Sequence, residues 1–248
     1  MTVLADPRDP YVFFERLRRA NPKATATRLL IGANVLVYFA MKLSGGGNYF
    51  DGFSGEKLID WGANISAFTI SQGETWRLLT CTFLHADLMH IGFNMYALKV
   101  LGDTAERLFG TPMFVALYLL SALGGSVASL GFTLSADPQL PSVGASGAVF
   151  GIMGGLLGFA LSRRGTVPPG VFKGLTRSAL MFIAINVAIG FTVAFIDNAA
   201  HLGGLAAGIV GGYFLSRDLP PSPQPSPRLR GTVIVAMLVG LTVGYFLA

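Results

Sequence analysis

Seven apolar stretches, each close to the length needed to cross a bilayer, constrain this chain more than any other feature. They cover residues 27–43, 84–102, 113–133, 145–162, 178–196, 199–216 and 232–248. A spanning helix needs ~20 predominantly apolar residues, with a usable range of about 17–25. The first stretch reaches that length only if Thr25 to Arg28 join it, and the second carries His85, Asp87, His90 and Asn94. Charge is scarce: 12% of residues are charged, against about 25% in a soluble domain. Gly is abundant, at 32 residues, which suits close helix–helix contact in lipid. The expected fold is all-α, a polytopic membrane helix bundle.

The net charge of +5 does not point to nucleic acid. The basic residues bracket the apolar segments and form no patch interleaved with aromatics. Their placement sets an orientation. With the N-terminus in the cytoplasm, inner segments hold Arg8, Arg16, Arg18, Arg19, Lys23, Arg28, Lys99, Arg107, Arg163, Arg164, Lys173, Arg177, Arg217, Arg228 and Arg230. Only Lys42, Lys57 and Arg77 then lie outside. Residues 1–28 are polar and basic without an apolar core, unlike a signal peptide. The anchor is therefore expected from the later segments. A single cysteine, Cys81, excludes an internal disulfide, and no metal-ligand cluster is visible. Cys81 reads as a small buried apolar residue.

Two connections stand out. Residues 44–83 are too long for a simple turn, and Trp61 and Trp76 suit the membrane interface. The run from Leu219 to Arg230, LPPSPQPSPRLR, is a semi-extended linker that cannot be helical. The expected organisation is an N-terminal cytoplasmic segment (1–27), a six-helix core (28–216), a Pro/Ser-rich linker (217–231) and an added transmembrane helix (232–248).

Ionisable and polar groups inside a membrane are costly, so they are functional candidates by default. Gly144-Ala145-Ser146-Gly147 opens the fourth stretch, followed by Gly151, Gly155, Gly154 and Gly158 in small-xxx-small rows. Ala200-His201-Leu202-Gly203-Gly204 opens the sixth, with Gly208 and Gly212 continuing its row. If the two glycine rows pack together, Ser146 comes beside His201. His85, His90 and Asn94 open the second stretch, His90 and Asn94 sharing a helix face. His90 is expected about 9 Å below the helix start, at 1.5 Å per residue. All three regions begin on the outer side. The combination suits acyl transfer: Ser146 as nucleophile, His201 as general base, and His90, Asn94 and the Ser146 N–H as oxyanion donors. Asp197, one turn before His201, could orient the imidazole but reads better as an end cap or a solvated loop charge.

Taken in order, these residues resemble the rhomboid family of intramembrane serine proteases over about residues 28–216. Trp76-Arg77 resembles the family's WR pair. His85, His90 and Asn94 match its H-x4-H-x3-N pattern, and Gly102, Glu106 and Gly110 its G-x3-E-x3-G pattern. Ser146 and His201 sit in its G-x-S-G and A-H-x-G-G motifs. The resemblance implies a rhomboid-like six-helix core plus one C-terminal helix (the 6+1 variant) and a Ser146–His201 dyad with no acidic third member. It implies His90 and Asn94 as oxyanion donors, His85 in support near a water-holding cavity, and a structural inner-side role for Glu106 and Arg107. Many family members carry Tyr four residues after the serine; here Phe150 stands there, and a phenyl ring can still stack on the base. Gly144, Phe150, Trp76 and Arg77 are supporting positions.

The implied partners are transmembrane protein substrates and the lipid bilayer, without nucleic acid, metal or cofactor. Such substrates present a small residue before the cut and helix-weakening residues beyond it. The expected location is a bacterial inner membrane, with the cut near the outer face. Two other classes compete: an escort of membrane clients, whose relatives lose the serine or histidine, and a transporter, which would place its polar groups at the midplane on broken helices.

Overall fold

A computed structural model of the protein describes residues 9–20, 23–45, 51–136, 139–164, 167–192 and 196–215. The described chain is helical: α1 (Pro10–Ala20), α2 (Thr25–Leu43), then the short α3 (Gly55–Asp60), α4 (Ser66–Thr69) and α5 (Arg77–Thr80). A 3-10 turn at Cys81–Phe83 leads to α6 (Leu88–Phe109), α7 (Thr111–Ala136), α8 (Ser146–Ser162), α9 (Pro169–Thr192) and α10 (Asn198–Leu215). Among the described residues there is no strand, only an isolated antiparallel bridge between Asn64 and Ser142. The linker 217–231 and the helix expected at 232–248 lie outside the described residues.

Local chemistry fixes the helix ends, and it shifts some of them from the apolar boundaries. α6 starts at Leu88, because Asp87 is extended and its carboxylate accepts the His90 N–H at 2.8 Å. His90 therefore lies in the first turn, shallower than a start at residue 84 implies. α6 also runs on to Phe109 through Asp103, Glu106 and Arg107; charges end an apolar window without ending a helix. α9 likewise begins at Pro169, before the stretch expected from 178, since Lys173 and Arg177 interrupt the pattern but not the backbone. Proline suits a first helical position, where its missing N–H costs nothing.

By length and composition α2, α7 and α9 are long and apolar enough to cross a membrane. α6 is 22 residues long but charged at its end, and α8 has 17. α8 forms the centre of the bundle: Ala148, Phe150, Ile152, Leu156 and Phe159 are all buried. α9 is the opposite case, with 6% of its apolar window buried and Leu180, Met181, Ile185 and Phe191 exposed. That face suits hydrocarbon.

Two polar locks hold the ends. At the end away from Ser146, Glu106 is fully buried. It accepts the N–H groups of Ala26 and Thr27 at 2.9 and 2.8 Å, the Thr27 hydroxyl at 2.8 Å and the Thr111 hydroxyl at 2.7 Å. It thus caps the first turn of α2, whose N–H groups have no helical partner, and holds the start of α7. Gly102 makes room: a Cβ there would fall 2.9 Å from Thr27 Cγ2. Gly110 turns the chain into α7 at φ +77°. At the other end, Arg77 is buried under the 51–83 loop. Its Nη1 donates to the carbonyls of Ile59 and Ala63 at 2.6 and 3.2 Å, and its Nε pairs with Glu74. The exposed Trp76 ring lies against the same guanidinium, 4.7 Å away.

Candidate active site

The glycine rows of α8 and α10 meet backbone to backbone. A Cβ on Gly204 would lie 2.0 Å from the Gly147 carbonyl oxygen, on Gly208 2.0 Å from that of Gly151, and on Gly212 2.2 Å from that of Gly155. Any side chain larger than hydrogen would force the helices apart. In lipid such contact rests on van der Waals packing, which close backbone approach maximises.

This contact sets His201 over α8. Phe150 lies one turn after Ser146, on the same face of the helix. Its ring stacks on the His201 imidazole with centroids 4.1 Å apart and planes 11° from parallel. Phe182 of α9 also lies against the Phe150 ring, with centroids 5.0 Å apart and planes tilted by 58°. His201 is buried, and its Nδ1 has no hydrogen-bond partner among the described residues. The hydrogen bonds found among them include none between Ser146 and His201. Such contacts are often long in the absence of substrate and tighten with it.

The segment before Ser146 is tied on several sides. Ser142 and Asn64 exchange backbone bonds at 2.8 and 3.0 Å, and the Gly144 N–H donates to Cys81 O at 2.9 Å. Gly144 adopts φ +123°, a conformation that favours glycine. It also has no room for a side chain: a Cβ would fall 2.7 Å from His90 Nε2. The same point is 3.8 Å from Ser146 Oγ, so the imidazole of His90 and the hydroxyl border one small volume. The Ala86 N–H donates to His90 Nδ1 at 3.3 Å, which leaves the proton of a neutral ring on Nε2, facing that volume. The first backbone bond of α8 runs from Val149 N to Ala145 O, leaving the N–H groups of Ser146 and its two successors without a helical acceptor.

Asn94 is buried one turn below His90, and its Nδ2 donates to His90 O at 3.0 Å, which leaves its second N–H. His85 is fully buried, edge-on to His90 at 5.0 Å, with neither ring nitrogen paired among the described residues. Trp76, Arg77 and Glu106 lie away from this cluster, in the two locks described above. Next to Ser146 is a cavity of about 20 Å³, lined by Thr82, Ser126, Ser142 and Asp197 among others. It has room for a water molecule and polar partners to hold it. The position of Asp197 just before a helix is a legible cap signal, but nothing in the pattern marks Ser129 and Ser142, which both donate to its Oδ2.

A helical bundle with a serine, three histidines and an asparagine gathered at one end describes a polytopic membrane protein with a polar reaction-type site. The Rhomboid domain family matches residues 72–218, and the chain belongs to the rhomboid family. It is an integral, multi-pass membrane protein. It is similar to Rhomboid protease GluP of Bacillus subtilis (strain 168), 37% identical over 227 residues, which is 91% of this chain and 40% of that protein. RHOMBOID-like protein 6, mitochondrial, of Arabidopsis thaliana is 38% identical over 215 residues, 79% of this chain and 68% of the relative. Rhomboid-like protease 1 of Toxoplasma gondii is 32% identical over 189 residues, 73% and 60% of the two chains. The chain thus spans about half the length of these curated relatives.

Proposed function

We propose that this chain is an intramembrane serine endopeptidase that hydrolyses transmembrane proteins near the outer membrane face. The observation that carries the reading is the convergence at the head of α8. Ser146 and His90 Nε2 border one volume, and the His201 ring is stacked on Phe150 one turn further on. Related proteins named as proteases agree with it.

In the proposed reaction His201 takes the proton of Ser146 Oγ as the oxygen attacks the scissile carbonyl. Stacking on Phe150 holds the imidazole plane while leaving its edge free. The developing oxyanion is met by Nε2–H of His90, the remaining N–H of Asn94 and the Ser146 N–H; one such donor is typically worth on the order of 10²–10³ in rate. His201 then protonates the leaving amine, giving an acyl-enzyme. A water from the adjacent cavity, deprotonated by the same base, releases the product. His85 supports His90, against which it packs.

The six long helices serve as the protease core (28–216), with the N-terminal segment 1–27 in the cytoplasm, 217–231 as linker and 232–248 as an added seventh span. The basic inner segments favour a bacterial inner membrane. Substrates are single-pass proteins with a small residue before the cut and helix-weakening residues after it, since an intact helix hides its carbonyls from the serine. The test is fluorophosphonate labelling in detergent or vesicles, alongside cleavage of a transmembrane reporter. Wild type is expected to label and cut. Ser146→Ala and His201→Ala are expected to lose both while keeping the thermal midpoint. Turnover by either variant would remove the dyad, and a folded wild type that never labels would favour an escort role.

A further inference from the structure

We infer that Asp197 is a positioning residue, which locks the serine-bearing segment to the histidine-bearing helix without touching the imidazole. The inference deepens the protease reading and rests on it. Asp197 Oδ1 accepts the Ala200 N–H at 2.8 Å, capping the first turn of α10, in which His201 is the next residue. Asp197 Oδ2 accepts the Ser142 hydroxyl at 2.6 Å and also the hydroxyl of Ser129 on α7. One carboxylate therefore joins α10, α7 and the segment leading to Gly144 and Ser146.

The alternative role of a third catalytic acid does not fit these contacts. Both carboxylate oxygens already serve other donors, and His201 Nδ1 has no hydrogen-bond partner among the described residues. The tie instead complements the others on the serine segment. Asn64 and Cys81 hold that segment through its backbone from the 51–83 side; Asp197 holds it from the α10 side. Without Asp197 nothing polar among the described contacts connects Ser142 to the helix that carries the base. Nucleophile and base lie on helices that meet along apolar rows of glycines and through the Phe150–His201 stack, with no polar tie at this end other than Asp197 among the described contacts, so a small slip here displaces one against the other. Displacements of that size cost reaction rate steeply.

The experiment measures fluorophosphonate inactivation, separating the maximal rate constant from the half-saturating concentration, with thermal midpoints in parallel. Asp197→Ser keeps an N-cap oxygen for α10 but is too short to span to Ser142 as well. Ser142→Ala removes only the hydroxyl from a loop. Each is expected to lower the maximal rate constant about tenfold or more, with half-saturation and thermal midpoint close to wild type. The double variant should be no slower than the slower single one, because both break one tie. Asp197→Asn keeps the length and pairs with both the cap and the hydroxyls, so it should recover most of the rate. Wild-type rates in Asp197→Ser and Ser142→Ala would reduce Asp197 to a helix cap and overturn the inference, as would fully multiplicative effects in the double variant. A wild type that does not label overturns the protease reading, and this inference with it.

Discussion

Gly144 shows how closely one residue can be specified. Its φ of +123° and its contact with the His90 ring are separate demands, and only glycine meets both. Gly144→Ala combines a strained backbone, costing about 1–3 kcal/mol, with a methyl group 2.7 Å from His90 Nε2. The imidazole would have to leave the volume it shares with Ser146. We expect fluorophosphonate labelling to slow by about 5–150-fold, the span those energies give at 1.36 kcal/mol per decade, with membrane insertion unaffected. Labelling at the wild-type rate would show that His90 can reposition freely. The residues of this cluster were legible in sequence because each is an expensive choice: a histidine or asparagine within an apolar stretch is kept there by need. Ser129 and Ser142 were not legible, because a serine in a glycine-rich membrane helix or a loop is an ordinary residue, and only the fold reveals that both reach Asp197. Phe150 lies between these cases. The rhomboid resemblance implies a ring at this position against His201, and the fold contains that stack.

Among the elements, α8 and α10 carry the geometry. Their glycine rows were readable as rows, since the four-residue spacing puts them on one helix face. That they face each other follows only from the fold, in which the two backbones meet in register. The contact predicts a sharp contrast among glycines. In Gly208→Val the first added carbon alone would fall 2.0 Å from Gly151 O, a backbone atom that cannot swing away. The helices must part, at a cost of about 3 kcal/mol, and His201 moves with α10. The expected result is a lower thermal midpoint in detergent together with loss of labelling. Gly174→Ala on α9, where nothing lies within 4 Å of the added carbon, should change neither. Equal tolerance at both positions would mean that the helices are not in backbone contact. The helix ends were less legible than their faces. Both α6 and α9 extend past the apolar windows through charged residues, because hydropathy reports where lipid lies and hydrogen bonding decides where a helix stops.

For the whole molecule, the two ends of the bundle differ in chemistry, and the difference predicts which membrane face meets the site. The end with Ser146 carries the 51–83 loop, which Arg77 holds together from inside. The other end carries α1, with Arg16, Arg18 and Arg19 exposed, and the Glu106 lock beneath it. Cations are retained on the cytoplasmic side of spanning proteins, so α1 should face the cytoplasm and Ser146 the exterior. Single-cysteine labelling of intact cells tests this directly, and the native Cys81 is buried and adds no background. Gln72→Cys, on an exposed turn of the outer loop, should react with a membrane-impermeant maleimide without permeabilisation. Arg16→Cys, exposed on α1, should react only after the membrane is opened. The reverse pattern would turn the molecule over. The proposed cut would then fall on the cytoplasmic face, and the asymmetry of lysine and arginine would have to be assigned to something other than topology.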